Sequence, residues 1–127
     1  MEGLDATDAY TVRDLKLADE GALRVDWARA RMPVLAKLKA EAEQSKPLAG
    51  MRVAGCLHVT KETAVLIEAI GAAGAEISWS GCNPLSTQDS VAAYLAREGY
   101  SVHAWHGQTN EDFYWCIDRT LEFKPTL

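Results

Sequence analysis

The sequence predicts an α/β protein, a three-layer sandwich in which helices cover a small parallel sheet. The main observation is an alternation: between residues 51 and 121, short apolar runs and longer helical segments take turns. Strand and helix alternating at this spacing build parallel strands joined by right-handed crossovers. A second observation is the helical composition that precedes this region, rich in Ala, Leu, Lys, Arg and Glu. A third is the punctuation, since Pro47, Gly50, Gly74, Gly81, Pro84, Gly99 and Gly107 fall between the segments.

Residues 1–14 show no period and read as an extended lead-in. Over residues 15–46 the chain turns helical. Leu23, Trp27, Ala30 and Val34 recur at three and four residues, the spacing of one helical face. Pro33 interrupts them, and proline is tolerated in a first turn but kinks a helix interior. The stretch is therefore two helices, 19–31 and 33–44, or one kinked helix. Ser45-Lys46-Pro47 ends it, and Ala49-Gly50 completes a turn. Met51 to Leu57 is a short apolar run after a turn, as for a buried strand. Residues 61–73 are helical, with Ala64, Leu66, Ile67 and Ile70 apolar and Thr60 as N-cap. Gly71 and Gly74 stand where a helix stops. Glu76 to Ser80 is the second strand, 81–87 a loop and 88–98 a helix ended by Gly99. Ser101 to Trp105 is the third strand, 106–109 a loop and 110–121 the last helix, capped by Thr109 or Asn110. The arrangement is doubly wound, Rossmann- or flavodoxin-like, preceded by N-terminal helices. Three strands make a small sheet, and at least one more is expected to belong to it.

Composition narrows the function classes. The chain has 127 residues, about one domain, with 48% apolar residues and a net charge of −5. An acidic chain with scattered Lys and Arg is a poor nucleic-acid binder, because phosphate neutralisation needs a basic face. No apolar stretch approaches the roughly 20 residues of a membrane helix. The polar start Met1-Glu2-Gly3-Leu4-Asp5 lacks the layout of a secretory signal. Cys56, Cys82 and Cys116 are an odd, widely spaced set, which fits a reducing cytoplasm better than a disulfide framework.

In open parallel sheets ligands bind beyond the carboxyl ends of the strands. Here those ends lead into Leu57-His58-Val59-Thr60, into Gly81-Cys82-Asn83-Pro84-Leu85-Ser86-Thr87-Gln88, and into His106-Gly107-Gln108-Thr109. All three are rich in polar side chains. His58 is the sharpest candidate, because imidazole titrates near neutrality and can act as acid or base. Its plainer reading is a histidine bonded to a nearby loop carbonyl. Thr60 and Glu62 read either as a cap with a helix-dipole partner or as a hydroxyl and a carboxylate facing a ligand. A carboxylate can accept from an exocyclic amino group such as adenine's. Ser86-Thr87-Gln88-Asp89 is equally a capping segment. Cys56, His58 and Cys82 match no common zinc spacing. Gly71-Ala72-Ala73-Gly74 is no dinucleotide fingerprint: it lacks G-x-G-x-x-G and follows a helix, not a strand. Cys116 reads as a packing residue, and Trp27, Trp79, Trp105 and Trp115 as core or interface residues.

Several ordered segments resemble the adenosylhomocysteinase (S-adenosyl-L-homocysteine hydrolase) family. They are Cys56-Leu57-His58-Val59-Thr60-Lys61-Glu62-Thr63-Ala64, Ser80-Gly81-Cys82-Asn83-Pro84-Leu85-Ser86-Thr87-Gln88-Asp89, Trp105-His106-Gly107-Gln108-Thr109 and Tyr114-Trp115-Cys116-Ile117. Upstream, Asp14-Leu15-Lys16-Leu17-Ala18 and Ala28-Arg29-Ala30-Arg31-Met32-Pro33 also follow the family. The similarity runs from about Tyr10 to Leu121. Departures concern Arg29, where many relatives carry an acidic residue, and Gly21-Ala22, where relatives often have Gly-Arg.

The resemblance implies reversible hydrolysis of S-adenosylhomocysteine to adenosine and homocysteine, within one-carbon metabolism. NAD carries the hydride as the ribose 3′-hydroxyl is oxidised and later restored. It implies that residues 1–127 are the N-terminal portion of the substrate-binding domain, with the next strand expected after Leu127 and the NAD-binding domain outside this sequence. On that reading this stretch alone neither holds NAD nor turns over substrate. Thr60 and Glu62 would meet the nucleoside, mainly its adenine end, beside Leu57. His58 would be the acid–base group near the ribose and the leaving sulfur. Cys82, Asn83, Ser86 and Gln88 would line or support the pocket. The family is typically a cytoplasmic homotetramer. Two rival expectations are a non-enzymatic domain that self-associates through apolar surface, and a hydrolase of the inosine analogue, against which Glu62 argues.

Overall fold

Pro33 opens a helix rather than kinking one. The computed structural model describes residues 3–127. In it helix α1 (Ala18–Arg29) ends before the proline, and α2 (Pro33–Ser45) carries Pro33 in its first turn. Proline lacks the amide hydrogen that a first turn leaves unpaired in any case. Lys46 closes α2 in the left-handed region (φ 48°), its N–H bonded to Ala42 O at 2.8 Å. The rest alternates as expected: β3 (Arg52–Cys56), α3 (Lys61–Ala72), β4 (Glu76–Ser80), α4 (Asp89–Arg97), β5 (Ser101–His103) and α5 (Asn110–Glu122). Thr60 caps α3 by accepting from Thr63 N, and Thr109 caps α5 in a reciprocal box with Asp112.

The lead-in is more than an extended approach. It forms two short strands, β1 (Asp5–Ala6) and β2 (Thr11–Val12), and a 3-10 turn at Leu15–Leu17. The sheet therefore has five strands in the order β1-β2-β5-β4-β3, and only β1 runs antiparallel. Thr11 pairs with His103, so the neighbour that β5 needs comes from the start of the chain. Two-residue strands give no period to read, and the strand that β2 joins, β5, is some ninety residues away. On the other edge, Leu127 donates to Arg52 O (3.1 Å) and accepts from Ala54 N (2.9 Å), the pattern of a parallel neighbour to β3.

Helices α3 and α4 cover one sheet face, with α1 packed on both and α2 on α3, and α5 covers the other. Side chains alternate along each strand. Ile77, Trp79, Val102 and Ala104 join Ile67, Val91 and Leu95 of the helices in the apolar core. Under α5 the same strands present Ser78, Ser80 and His103, all fully buried. That face is unusually polar for a parallel sheet, where both faces are normally apolar.

The face that α1 buries differs from the one its large apolar residues suggest. Leu23 (72% exposed) and Trp27 (50%) point outward, while Ala18, Gly21, Val25 and Ala28 are buried. The two helices approach so closely that a Cβ on Gly21 would lie 2.6 Å from the Ser90 carbonyl carbon and 2.9 Å from Tyr94 Cβ. Small residues win that face because the α4 backbone leaves no room for larger ones. Arg29, the departure from the family pattern, has its own partners. Its guanidinium bonds both Glu68 oxygens (2.9 and 3.0 Å) and Tyr94 Oη (3.3 Å), and Tyr94 donates to Glu68 at 2.8 Å. One group thus joins α1, α3 and α4.

Candidate functional site at the carboxyl edge of the sheet

The three loops that leave β3, β4 and β5 are knitted into one surface. Leu57 N–H donates to Ser80 O (3.1 Å), which carries the β3–β4 ladder one step beyond the strands. Gln88 N–H donates to Val59 O (2.9 Å), and the Gln88 side-chain oxygen accepts from Lys61 N (3.1 Å). Gly107 and Gln108 N–H both donate to Pro84 O (2.9 and 3.2 Å). The His106 ring pairs through Nδ1 with Leu85 O (2.7 Å), while the His106 backbone N–H donates to Asp89 Oδ1 at 2.9 Å. Convergence at the carboxyl ends was expected from strand order, and these bonds produce it.

His58 sits at the tip of the first loop, exposed. Its backbone carbonyl accepts from Thr60 N at 3.0 Å in a tight turn. Among the described residues none hydrogen-bonds its imidazole. The plainer reading, a ring spent on a loop carbonyl, therefore does not describe His58; it describes His106. Thr60 turns the chain into α3; its hydroxyl accepts from Thr63 N over a long 3.4 Å and donates to Thr63 Oγ1 over an equally long 3.4 Å. Glu62 lies in the first turn of α3 with its side chain half exposed, 3.1 Å from Lys61 Nζ. Burial alone would raise its carboxyl pKa. Its own backbone N–H and the Lys61 ammonium outweigh that and lower it below the ordinary value. Glu62 is thus an anionic acceptor at neutral pH.

The second loop is shaped by its own side chains. Asn83 is exposed, and its Oδ1 accepts from Leu85 N (2.8 Å) in an Asx turn. Ser86 Oγ donates to Asn83 O at 3.4 Å. Cys82 is partly buried, and Cys56 is exposed with its thiol donating to Gly81 O at 3.5 Å. Gln88 supports rather than lines the site, because its oxygen and its N–H both serve the loop that carries His58. Leu57 presents its side chain to solvent, 42% exposed, while its carbonyl accepts from Trp79 Nε1 at 3.2 Å. The sequence offered no sign of that bond, since the reading of Trp79 was packing alone.

Among the described residues no group of three or more His, Cys, Asp or Glu is placed to hold a metal. Among the same residues no helix is long and apolar enough to cross a membrane. Gly71 lies inside α3 against Tyr100, and Gly74 (φ 101°) follows its end against Ala49. Neither is at a strand-to-helix turn where a pyrophosphate would meet a helix N-terminus. These two glycines therefore form no dinucleotide-binding turn.

A doubly wound α/β domain with a polar, histidine-bearing edge beyond its parallel strands has the architecture in which small ligands generally bind at that edge. The particular lineage follows from comparison. Residues 9–126 match the family model for S-adenosyl-L-homocysteine hydrolase, and the chain belongs to that family. An adenosylhomocysteinase of Sulfolobus acidocaldarius is 49% identical over 116 residues, 91% of this chain and 28% of the relative. One from Aeropyrum pernix is 49% identical over 118 residues, 93% of this chain and again 28% of the relative. The chain thus spans little more than a quarter of the length of these relatives.

Proposed function

We propose that this chain is part of the substrate-binding domain of an adenosylhomocysteinase and presents one wall of the site for S-adenosylhomocysteine. The observation that carries the reading is the grouping of His58, Thr60 and Glu62 on one strand-to-helix turn, knitted to the Cys82–Gln88 loop and set within the family-matched residues. Anionic Glu62 accepts from the adenine amino group, which an inosine analogue lacks. Thr60 donates its hydroxyl to the nucleoside, beside the apolar Leu57, in exchange for its long bond to Thr63 Oγ1. The unbonded His58 imidazole moves a proton to or from the leaving homocysteine sulfur and the attacking water. Cys82, Asn83 and Ser86 form the facing loop, and Gln88 holds the His58 loop in place. NAD is assigned to the parts of the full-length protein outside this sequence, as are the remaining acid–base groups and the homo-oligomeric assembly.

The test is homocysteine release from S-adenosylhomocysteine by the full-length protein with NAD. His58→Ala is expected to lower kcat by about a hundredfold or more, the usual weight of a positioned acid–base group. Glu62→Gln is expected to narrow the preference for the adenosine over the inosine substrate. A His58→Ala enzyme with undiminished kcat would refute the assignment.

A further inference from the structure

Among the described residues the His58 ring has no hydrogen-bond partner to aim it, yet an acid–base group works only when held within hydrogen-bond reach of its proton. The aim must come through the backbone. Two bonds fix the position of Leu57, the residue before it. Leu57 N–H donates to Ser80 O at 3.1 Å, and Leu57 O accepts from Trp79 Nε1 at 3.2 Å. That carbonyl belongs to the same planar peptide as the His58 N–H. The indole therefore sets the orientation of the peptide from which the His58 side chain springs.

Trp79 can do this because Gly55, its register partner on β3, carries no side chain. A Cβ there would fall 2.5 Å from Trp79 Cη2 and closer still to two neighbouring ring carbons. The indole lies across that gap, 5% exposed in the apolar core, with its one N–H directed at the carboxyl end of β3. A buried indole N–H needs an acceptor, and the Leu57 carbonyl supplies it. A purely packing role needs the ring but not the nitrogen.

We propose that Trp79 is a positioning residue for catalysis, acting through the Leu57 carbonyl to orient His58; the proposal rests on the assignment of His58 above. The experiment uses the full-length enzyme with NAD and compares three proteins with wild type. They are His58→Ala, Trp79→Phe, and a Trp79 variant whose indole is replaced by its benzothiophene isostere, which keeps the ring's shape and lacks the N–H. The isostere guards against a Phe variant that folds poorly. Both Trp79 variants are expected to lower kcat by about five- to tenfold, the weight of one lost hydrogen bond, with KM changed less than roughly twofold. The limb of the kcat–pH profile that vanishes in His58→Ala is expected to be displaced in both. An isostere with wild-type kcat and pH profile overturns the proposal, as does a rise in KM at unchanged kcat. If His58→Ala itself keeps full activity, the assignment of His58 fails and Trp79's role falls with it, a result that needs neither Trp79 variant.

Discussion

Acid should unfold this domain partly through His103, a residue with no part in the proposed chemistry. His103 lies on β5 beneath α5, 2% exposed, with Nδ1 3.1 Å from Thr11 Oγ1. Burial, and then the nearby Arg119 guanidinium, push its pKa from 6.5 down to about 4. In the unfolded chain the imidazole titrates near its ordinary value of about 6.5. Between these values the unfolded state binds more protons than the folded one, so stability rises with pH across the window. The stability linked to His103 is complete above about pH 6.5 and is lost progressively as the pH falls towards about 4. At about 1.4 kcal/mol per pH unit, the separation amounts to about 3 kcal/mol, a large part of the roughly 5–15 kcal/mol typical of a domain. Asp8 and Glu122 line the same polar cavity of about 220 Å³ as His103 and Arg119, so His103 is not the only ionisable group there. The assay is therefore comparative: urea unfolding of wild type and His103→Asn at several pH values between about 7 and 4. Wild type is expected to lose about 3 kcal/mol more than the variant over that range. Parallel stability curves would show that His103 protonates as easily in the fold as outside it, and would refute the reasoning.

Gly21→Ala tests the closeness of α1 and α4. Alanine gains about 1 kcal/mol in helix propensity, but its Cβ meets the Ser90 carbonyl, which is backbone and cannot rotate away; a net loss of about 1–3 kcal/mol in chemical denaturation is expected, and a more stable variant would mean the helices separate freely. Cys116 is 1% exposed, and burial above all pushes its thiol pKa up to about 12. It is therefore expected to resist alkylation in the native protein under conditions that label it after denaturation, and equal labelling in both states, read by mass spectrometry, would contradict its burial.

Much of this protein was legible in local sequence. Alternating apolar runs, the Thr60 cap and the glycine stops placed six elements over residues 51–121 to within one or two residues, because caps and periodicity act over a few positions. The loops at the carboxyl edge followed from strand order, and the family from motifs within them. Tertiary structure decided what depends on a distant partner. The lead-in became two strands only because β5 needed a neighbour, and a pair such as Thr11 with His103 leaves no local trace. Leu23 and Trp27 have the period of a buried face, yet α1 buries Gly21 and Val25 because the α4 backbone lies too near for bulk. Gln88 carries a motif position, but only the fold shows its oxygen accepting from Lys61 N. Trp79 read as packing, since nothing in a sequence tells where an indole N–H points; its bond to Leu57 exists because Gly55, on another strand, leaves the ring room to lie flat. Short-range physics wrote the elements, and the contacts between them determined which side chains are held and which, like His58, are left free.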